Sequence, residues 1–235
     1  MKGQLRILNR ESSILRANIL NRIGISDVCS VSAYVVHGQK SDIILSIDYS
    51  TGGQRQVALQ VKLVKNITGF NQVDKRYVAK YQELWGFSEI VAEALKKYTG
   101  EITPPSAGRN AKRMFADELS TNQQIAVLEF LSSSKSNIAD TIFRGDGELK
   151  PEWFLLVHKI ESAPKVYLFD INKYINFFIG DSDESTAIIT KKGCFRLGRV
   201  TIQRKGGDGG RKSATMLKFK LDPIEIKNEH EICHQ

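Results

Sequence analysis

Apolar positions along the chain change period several times, and each change marks an element. Leu5, Leu8, Leu15, Ile19 and Leu20 recur near helical spacing and Gly24 ends the pattern, so a helix is expected over 5–23. Val31–His37 is rich in β-branched residues and stops at Gly38. Ile43–Tyr49 and Gln56–Val64 follow as strands, joined through Ser50-Thr51-Gly52-Gly53 into a hairpin. Asn66–Gln72 reads as a loop. Val73, Tyr77, Tyr81, Leu84 and Trp85 then mark one face of a helix, with Lys75, Arg76 and Lys80 off that face. Ser88–Tyr98 forms a second helix, ended by Thr99-Gly100 and by Pro104-Pro105. Ser120-x-x-Gln123 is a capping-box signature for a helix reaching about Ser132. Trp153–Ile160 and Val166–Phe169 read as strands and Ile171–Ile179 as a short helix. Arg199–Arg204 and Met216–Leu221 read as strands around the turn Gly206-Gly207-Asp208-Gly209-Gly210, and 224–235 as a polar tail.

The order is helix, sheet, helices, then further strands, without internal repeat or linker. It predicts an α/β (α+β) fold in a single domain over 1–235. At 235 residues and 26.4 kDa, with 41% hydrophobic residues, the chain is long enough to bury a substantial core. No apolar run reaches the length of a membrane span, and residues 1–6 lack the apolar stretch of a signal peptide, so a cytoplasmic protein without membrane partners is expected. Cys29, Cys194 and Cys233 are scattered, form no C-x-x-C, and read as buried free thiols.

Charge changes the picture. The formal net charge is +8 and the pI about 9.3, and the excess is concentrated. Between Lys191 and Lys220 the sequence holds ten basic residues and one acid, Asp208. A basic stripe confined to one segment is the footprint of a polyanion site.

The chemistry-bearing residues lie across the first hairpin: Ser41-Asp42, then Gln60-Val61-Lys62. Gln60 and Lys62 are two apart and share a sheet face, and Asp42 begins the partner strand. Phosphodiester hydrolysis uses a metal to polarise the phosphate and to lower the pKa of water. Asp42 can supply an anionic ligand, and the Gln60 side-chain oxygen and Val61 carbonyl can add neutral oxygens suited to Mg²⁺. Lys62 can orient the attacking water and neutralise developing charge.

These residues resemble the PD-(D/E)xK nuclease superfamily, in the variant where glutamine replaces the second acid. The resemblance is to the HinP-like type II restriction endonucleases, which cut GCGC. It rests on Lys40-Ser41-Asp42-Ile43, Gln60-Val61-Lys62-Leu63-Val64, Gly69-Phe70-Asn71-Gln72, Tyr81-Gln82-Glu83, Thr99-Gly100-Glu101 and Arg113-Met114-Phe115. The run Gly198–Asp208, with Met216-Leu217 and Asp222-Pro223, completes it. It implies a restriction-endonuclease-like fold with a central mixed β-sheet flanked by helices, a catalytic core over about 31–85 and a DNA-recognition hairpin over about 198–221.

The resemblance further implies catalytic roles for Ser41, Asp42, Gln60 and Lys62 with Mg²⁺, and brings Glu11 forward as an additional candidate ligand. It assigns Gln203, Arg204, Lys205, Asp208 and Arg211 to base and phosphate reading. Arg and Lys can donate to guanine and Asp can accept from cytosine, which suits G·C pairs. Phe70, Asn71 and Gln72 are implied as a loop that distorts the duplex, with Phe70 or Gln72 as a wedge. A cytosine methyltransferase protecting the same site in the same cell is implied too. The enzyme would need no protein partner and act as a monomer or weak homodimer on double-stranded DNA. Two rival readings are a sequence-specific DNA-binding protein with an inactive nuclease-like fold and a DNA-repair nuclease. The H-E-x-x-H at His230–His234 lies in a polar tail and lacks the buried helix and third ligand of a zinc peptidase.

Overall fold

The computed structural model describes residues 13–65, 71–105, 108–159, 164–180, 186–207 and 210–228. The chain divides into two compact units: Met1–Gly69, Arg144–Tyr174 and Pro223–Gln235 form the first, Phe70–Phe143 and Ile175–Asp222 the second.

In the first unit, helix α1 (Ser13–Ile23) leads into strands β1 (Val28–Val35), β2 (Ile43–Tyr49) and β3 (Gln54–Val64). Strands β5 (Trp153–Lys159) and β6 (Pro164–Asp170) complete a sheet of order β1-β2-β3-β5-β6. All neighbours are antiparallel except β3 and β5, which run parallel, so the sheet is mixed as expected. The β2–β3 hairpin forms where the sequence places it. Gly52 and Gly53 hold φ of 88° and 93°, backbone that glycine adopts without strain. Alternation sorts the strands into faces. Ile43, Leu45, Ile47, Val57, Leu59, Val61, Leu155, Val157, Val166 and Leu168 point one way and pack with Ile19, Leu20 and Ile23 of α1. Register places Ala58, Gln60, Lys62, Phe154, Leu156 and His158 on the other face, where Tyr174 stacks on Phe154 at 3.9 Å between centroids.

The second unit opens with β4 (Asn71–Arg76), followed by α2 (Val78–Trp85), α3 (Glu89–Thr99), α4 (Thr121–Ser133) and the short α5 (Lys135–Ala139). Helix α6 (Ile171–Ile179) forms where predicted, its residues to Tyr174 counted with the first unit and those from Ile175 with the second. Strands β7 (Ala187–Ile189), β8 (Phe195–Leu197), β9 (Val200–Arg204) and β10 (Leu217–Leu221) follow. The strands make an antiparallel sheet of order β4-β10-β9-β8-β7. One face is aromatic. Tyr81 stacks on Trp85 at 4.4 Å, and Phe219 meets both edge-on at 5.4 and 5.7 Å. The buried polar tips are satisfied: the Trp85 indole N–H donates to Thr141 Oγ1 at 3.0 Å, and the Tyr98 hydroxyl donates to the Ile202 carbonyl at 2.7 Å. Burial pushes both the Tyr81 and Tyr98 hydroxyls above their ordinary pKa.

Several expectations change. The helix expected from Val73 divides at Tyr77: Asn71–Arg76 is a strand, paired to β10, and helix begins only at Val78. Within that strand only Val73 is a large apolar residue, so β10 rather than local pattern defines it. Strands β7 and β8 span three residues each, too short to show alternation. Ser120 caps α4 as predicted, accepting from the Gln123 N–H at 3.3 Å. The expected polar tail starts too early, because Ile224 and Ile226 are buried. Cys29 is an exposed residue of β1, not a buried thiol. The expected helical turn before Ser13 lies outside the described residues.

Candidate active site

Asp42 sits immediately before β2, where the antiparallel ladder with β3 runs out. Its N–H donates to the Leu59 carbonyl at 2.8 Å, and its carboxylate Oδ2 accepts the Val61 N–H at 2.8 Å. The side chain thus takes the place of the next ladder residue and is held against the edge of β3. On a strand, a residue's N–H and C=O leave on the same side, so the Val61 carbonyl faces that edge too. Gln60 and Lys62 flank Val61 and project from the opposite face to its side chain.

Gln60 is buried, and among the described residues its Oε1 has no hydrogen-bond partner. An orphaned buried acceptor costs about 1–3 kcal/mol, and a native chain retains one where something else uses it. Burial draws the Lys62 ammonium below its ordinary pKa, and the nearby Asp42 carboxylate partly restores it. Ser41 is buried as well. Its hydroxyl donates to the Leu149 carbonyl at 2.8 Å, tying the start of β2 to the segment before β5.

These residues fit a hard divalent cation. The Asp42 carboxylate, the orphaned Gln60 oxygen and the Val61 carbonyl are all oxygen donors within one strand edge. Among the described residues no group of three or more His, Cys, Asp or Glu could hold a metal, so the donor set is poor in charge, with one carboxylate. Glu11 lies outside the described residues.

The residues singled out for DNA reading belong to the second unit, and the register of its sheet separates them. Gln203 pairs with Lys218, which pairs with Lys75; Thr201 pairs with Lys220, which pairs with Gln72. Side chains at paired positions share a face, so these rows lie on the side away from the aromatic core. Arg204 pairs with Leu217 and lies on the core side, where its Nε donates to the Ala214 carbonyl at 3.3 Å. Asn71 pairs with Leu221 on that side as well. Lys205 lies just beyond β9, its N–H donating to the Met216 carbonyl at 2.8 Å, and returns to the face of Gln203. Arg211 is exposed in the β9–β10 connection. Phe70 and Asp208 lie outside the described residues. The sequence places Lys218 and Lys220 in the basic stripe and Lys75 beside the Gly69–Gln72 loop as an anchor for the DNA backbone, without showing that the three share a face. The available signal was the alternation Leu217-Lys218-Phe219-Lys220-Leu221, which puts both lysines on one face.

A family model described as R.HinP1I restriction endonuclease matches residues 22–227. The chain belongs to the R.HinP1I restriction endonuclease family. It is therefore a type II site-specific deoxyribonuclease, an enzyme of double-stranded DNA. The match spans both Asp42–Lys62 and the β9–β10 hairpin. Among solved structures, the crystal structure of restriction endonuclease MspI in complex with its cognate DNA is similar. Its TM-score is 0.59 at 15% identity, over 88% of this chain and 76% of that one, a likeness of fold. No curated protein matches the chain. Among the described residues, no helix is long and apolar enough to cross a membrane.

Proposed function

We propose that this restriction endonuclease hydrolyses double-stranded DNA at a short GC-rich palindrome, GCGC, with Mg²⁺, and that Asp42, Gln60 and Val61 hold the ion. The observation that carries this reading is the orphaned Gln60 oxygen, one residue along β3 from the N–H that fixes the Asp42 carboxylate. A divalent ion bound there would polarise the phosphate and lower the pKa of water. Asp42 is oriented in advance by its two backbone contacts, so it needs little reorganisation when DNA arrives. Lys62, whose ammonium is drawn below its ordinary pKa by burial and partly restored by Asp42, offers that ammonium to the attacking water and to the phosphoryl oxygens as charge develops. With its proton engaged by Leu149, Ser41 acts by positioning the turn into β2. Glu11 is a candidate further ligand. With a single carboxylate in the described donor set, part of the negative charge around the ion comes from the DNA phosphate.

In this reading Gln203, Arg204, Lys205, Asp208 and Arg211 recognise bases and phosphates, while Phe70, Asn71 and Gln72 distort the duplex, with Phe70 or Gln72 as the wedge. The enzyme works in the cytoplasm as a monomer or weak homodimer, beside a cytosine methyltransferase that protects the same sequence.

A plasmid of known sequence, digested with the protein in Mg²⁺ and sequenced at its ends, tests the reading. Ends confined to GCGC and absent in EDTA are expected. Ends scattered over unrelated sequences would refute the specificity, and undiminished cutting in EDTA would refute the metal.

A further inference from the structure

The cationic side chains of the second unit are ordered by its sheet. The row Gln203–Lys218–Lys75 crosses three adjacent strands. The next row, Arg196–Thr201–Lys220–Gln72, crosses four. Strands lie about 4.8 Å apart, so each row extends about 10–15 Å over the face. On the reverse face the same strands bury Phe195, Ile202 and Phe219 to 1% exposure or less. An antiparallel sheet with one face in the core normally turns a mixed polar face to solvent. Here that face repeats one sign of charge.

A bulge in β4 contributes to this. The register shifts between Phe219 and Lys220, so that Lys75 pairs with Lys218 while Gln72 pairs with Lys220. Residues three apart on a regular strand face opposite ways, whereas the extra residue brings Gln72 and Lys75 to the same side. The lysines crowd one another. The Lys218 ammonium donates to the Lys205 carbonyl at 3.2 Å. Burial first, then Lys220, Lys205 and Lys75, hold the Lys218 ammonium below its ordinary pKa. Lys205 is held down likewise, by desolvation and then by Lys75 and Arg211. Like charges gathered at this density favour a polyanion on the face.

We propose that the β4–β10–β9 face seats the DNA duplex, and that Lys75 and Lys218 are phosphate-contacting residues of that seat. This rests on the nuclease reading above for the identity of the polyanion. Duplex DNA presents about one negative charge per 1.7 Å of axis, so a row of this length meets several phosphates. Gln203, Thr201 and Gln72, set among the cations, are uncharged donors and acceptors on the same face. Arg204, on the core side, is not part of this face and secures the β9–β10 connection through Ala214.

The test is binding of the full chain to a cognate GCGC duplex and to an unrelated duplex over a range of salt concentrations, in Ca²⁺ to hold back cleavage. Lys75→Gln and Lys218→Gln are each expected to flatten the plot of log K against log salt by about 0.9, and the double variant by about 1.8, on both duplexes alike. Lys→Arg at either position should restore the slope, and melting temperatures should match the parent. A double variant with the parental slope, or one that weakens cognate binding alone, would overturn the proposal. Should the parent protein neither bind nor cut duplex DNA, the nuclease reading fails with it; a parent that cuts at GCGC while the lysine variants keep its slope leaves the nuclease standing and removes the seat.

Discussion

The edge of β3 in the first unit and the outer face of β4–β10–β9 in the second solve different problems with different chemistry. The first has one carboxylate held by backbone contacts of 2.8 Å, beside one buried amide and one half-buried ammonium. The second has repeated cations on half-buried or exposed positions, none of them alone in its role. A bond-breaking site depends on the position of single atoms, so each substitution there should be severe. A polyanion seat adds similar contributions, so each substitution should be modest, graded and sensitive to salt.

After Asp42, the severest expected effect is at Lys62. Lys62→Ala should slow cleavage at saturating enzyme by at least about 10²–10³-fold while leaving duplex binding within about tenfold, because in the proposed reading the side chain acts on water and the reacting phosphate and not on the bases. Single-turnover cleavage in Mg²⁺ beside a gel shift in Ca²⁺ measures both. Equal losses in the two assays would erase the contrast between the regions.

The hairpin separates two neighbours. Lys205→Ala should cost roughly 1–3 kcal/mol of discrimination between GCGC and a one-mismatch duplex if the side chain donates to a guanine. Arg204→Ala should also lower the melting temperature, since the Arg204 Nε bond to Ala214 closes the connection. If Lys205→Ala weakens all duplexes alike, Lys205 belongs with Lys75 and Lys218 as a phosphate contact.

The site was more legible than the scaffold around the second face. Asp42, Gln60 and Lys62 could be placed together because β2 and β3 are apolar runs joined by a glycine turn, and they pair antiparallel as such a hairpin must. Ile171–Ile179 was legible as a helix for the same reason, a strong local pattern. Strand β4 was not. Its sequence, Asn71-Gln72-Val73-Asp74-Lys75-Arg76, is polar, and its strand character comes from pairing with β10, far along the chain. The lysine face was hidden for that reason: Lys75 joins Lys218 only through a long-range register that includes a bulge. The stripe from Lys191 to Lys220 pointed to a polyanion site without saying which of its charges share a face. Arg204 and Lys205, adjacent in sequence, turn out to lie on opposite sides of the sheet.

Gln60 offers a prediction in which stability and activity move apart. Gln60→Leu removes the orphaned oxygen at similar volume, so in EDTA it should stabilise the protein by about 1–3 kcal/mol while depressing cleavage in Mg²⁺. Destabilisation would show that the amide is satisfied in solution and would weaken the argument for a metal there. The smallest effect is expected at the C-terminus. Deleting the residues after Lys227 should leave cleavage and its salt dependence unchanged, since the buried Ile224 and Ile226 remain. Loss of a zinc-dependent activity on truncation would return His230 and His234 to consideration.

The central claim, that the β3 edge does the chemistry while the second unit binds, is tested most directly by Asp42→Asn on one GCGC duplex, with cleavage in Mg²⁺ and binding in Ca²⁺ measured side by side. The substitution keeps the size of the side chain and an oxygen able to accept the Val61 N–H, and removes the one carboxylate of the described donor set. Cleavage should vanish while affinity stays within about tenfold of the parent, with an unchanged salt slope. Cleavage retained near the parental rate would take Asp42 out of the metal site and contradict the account.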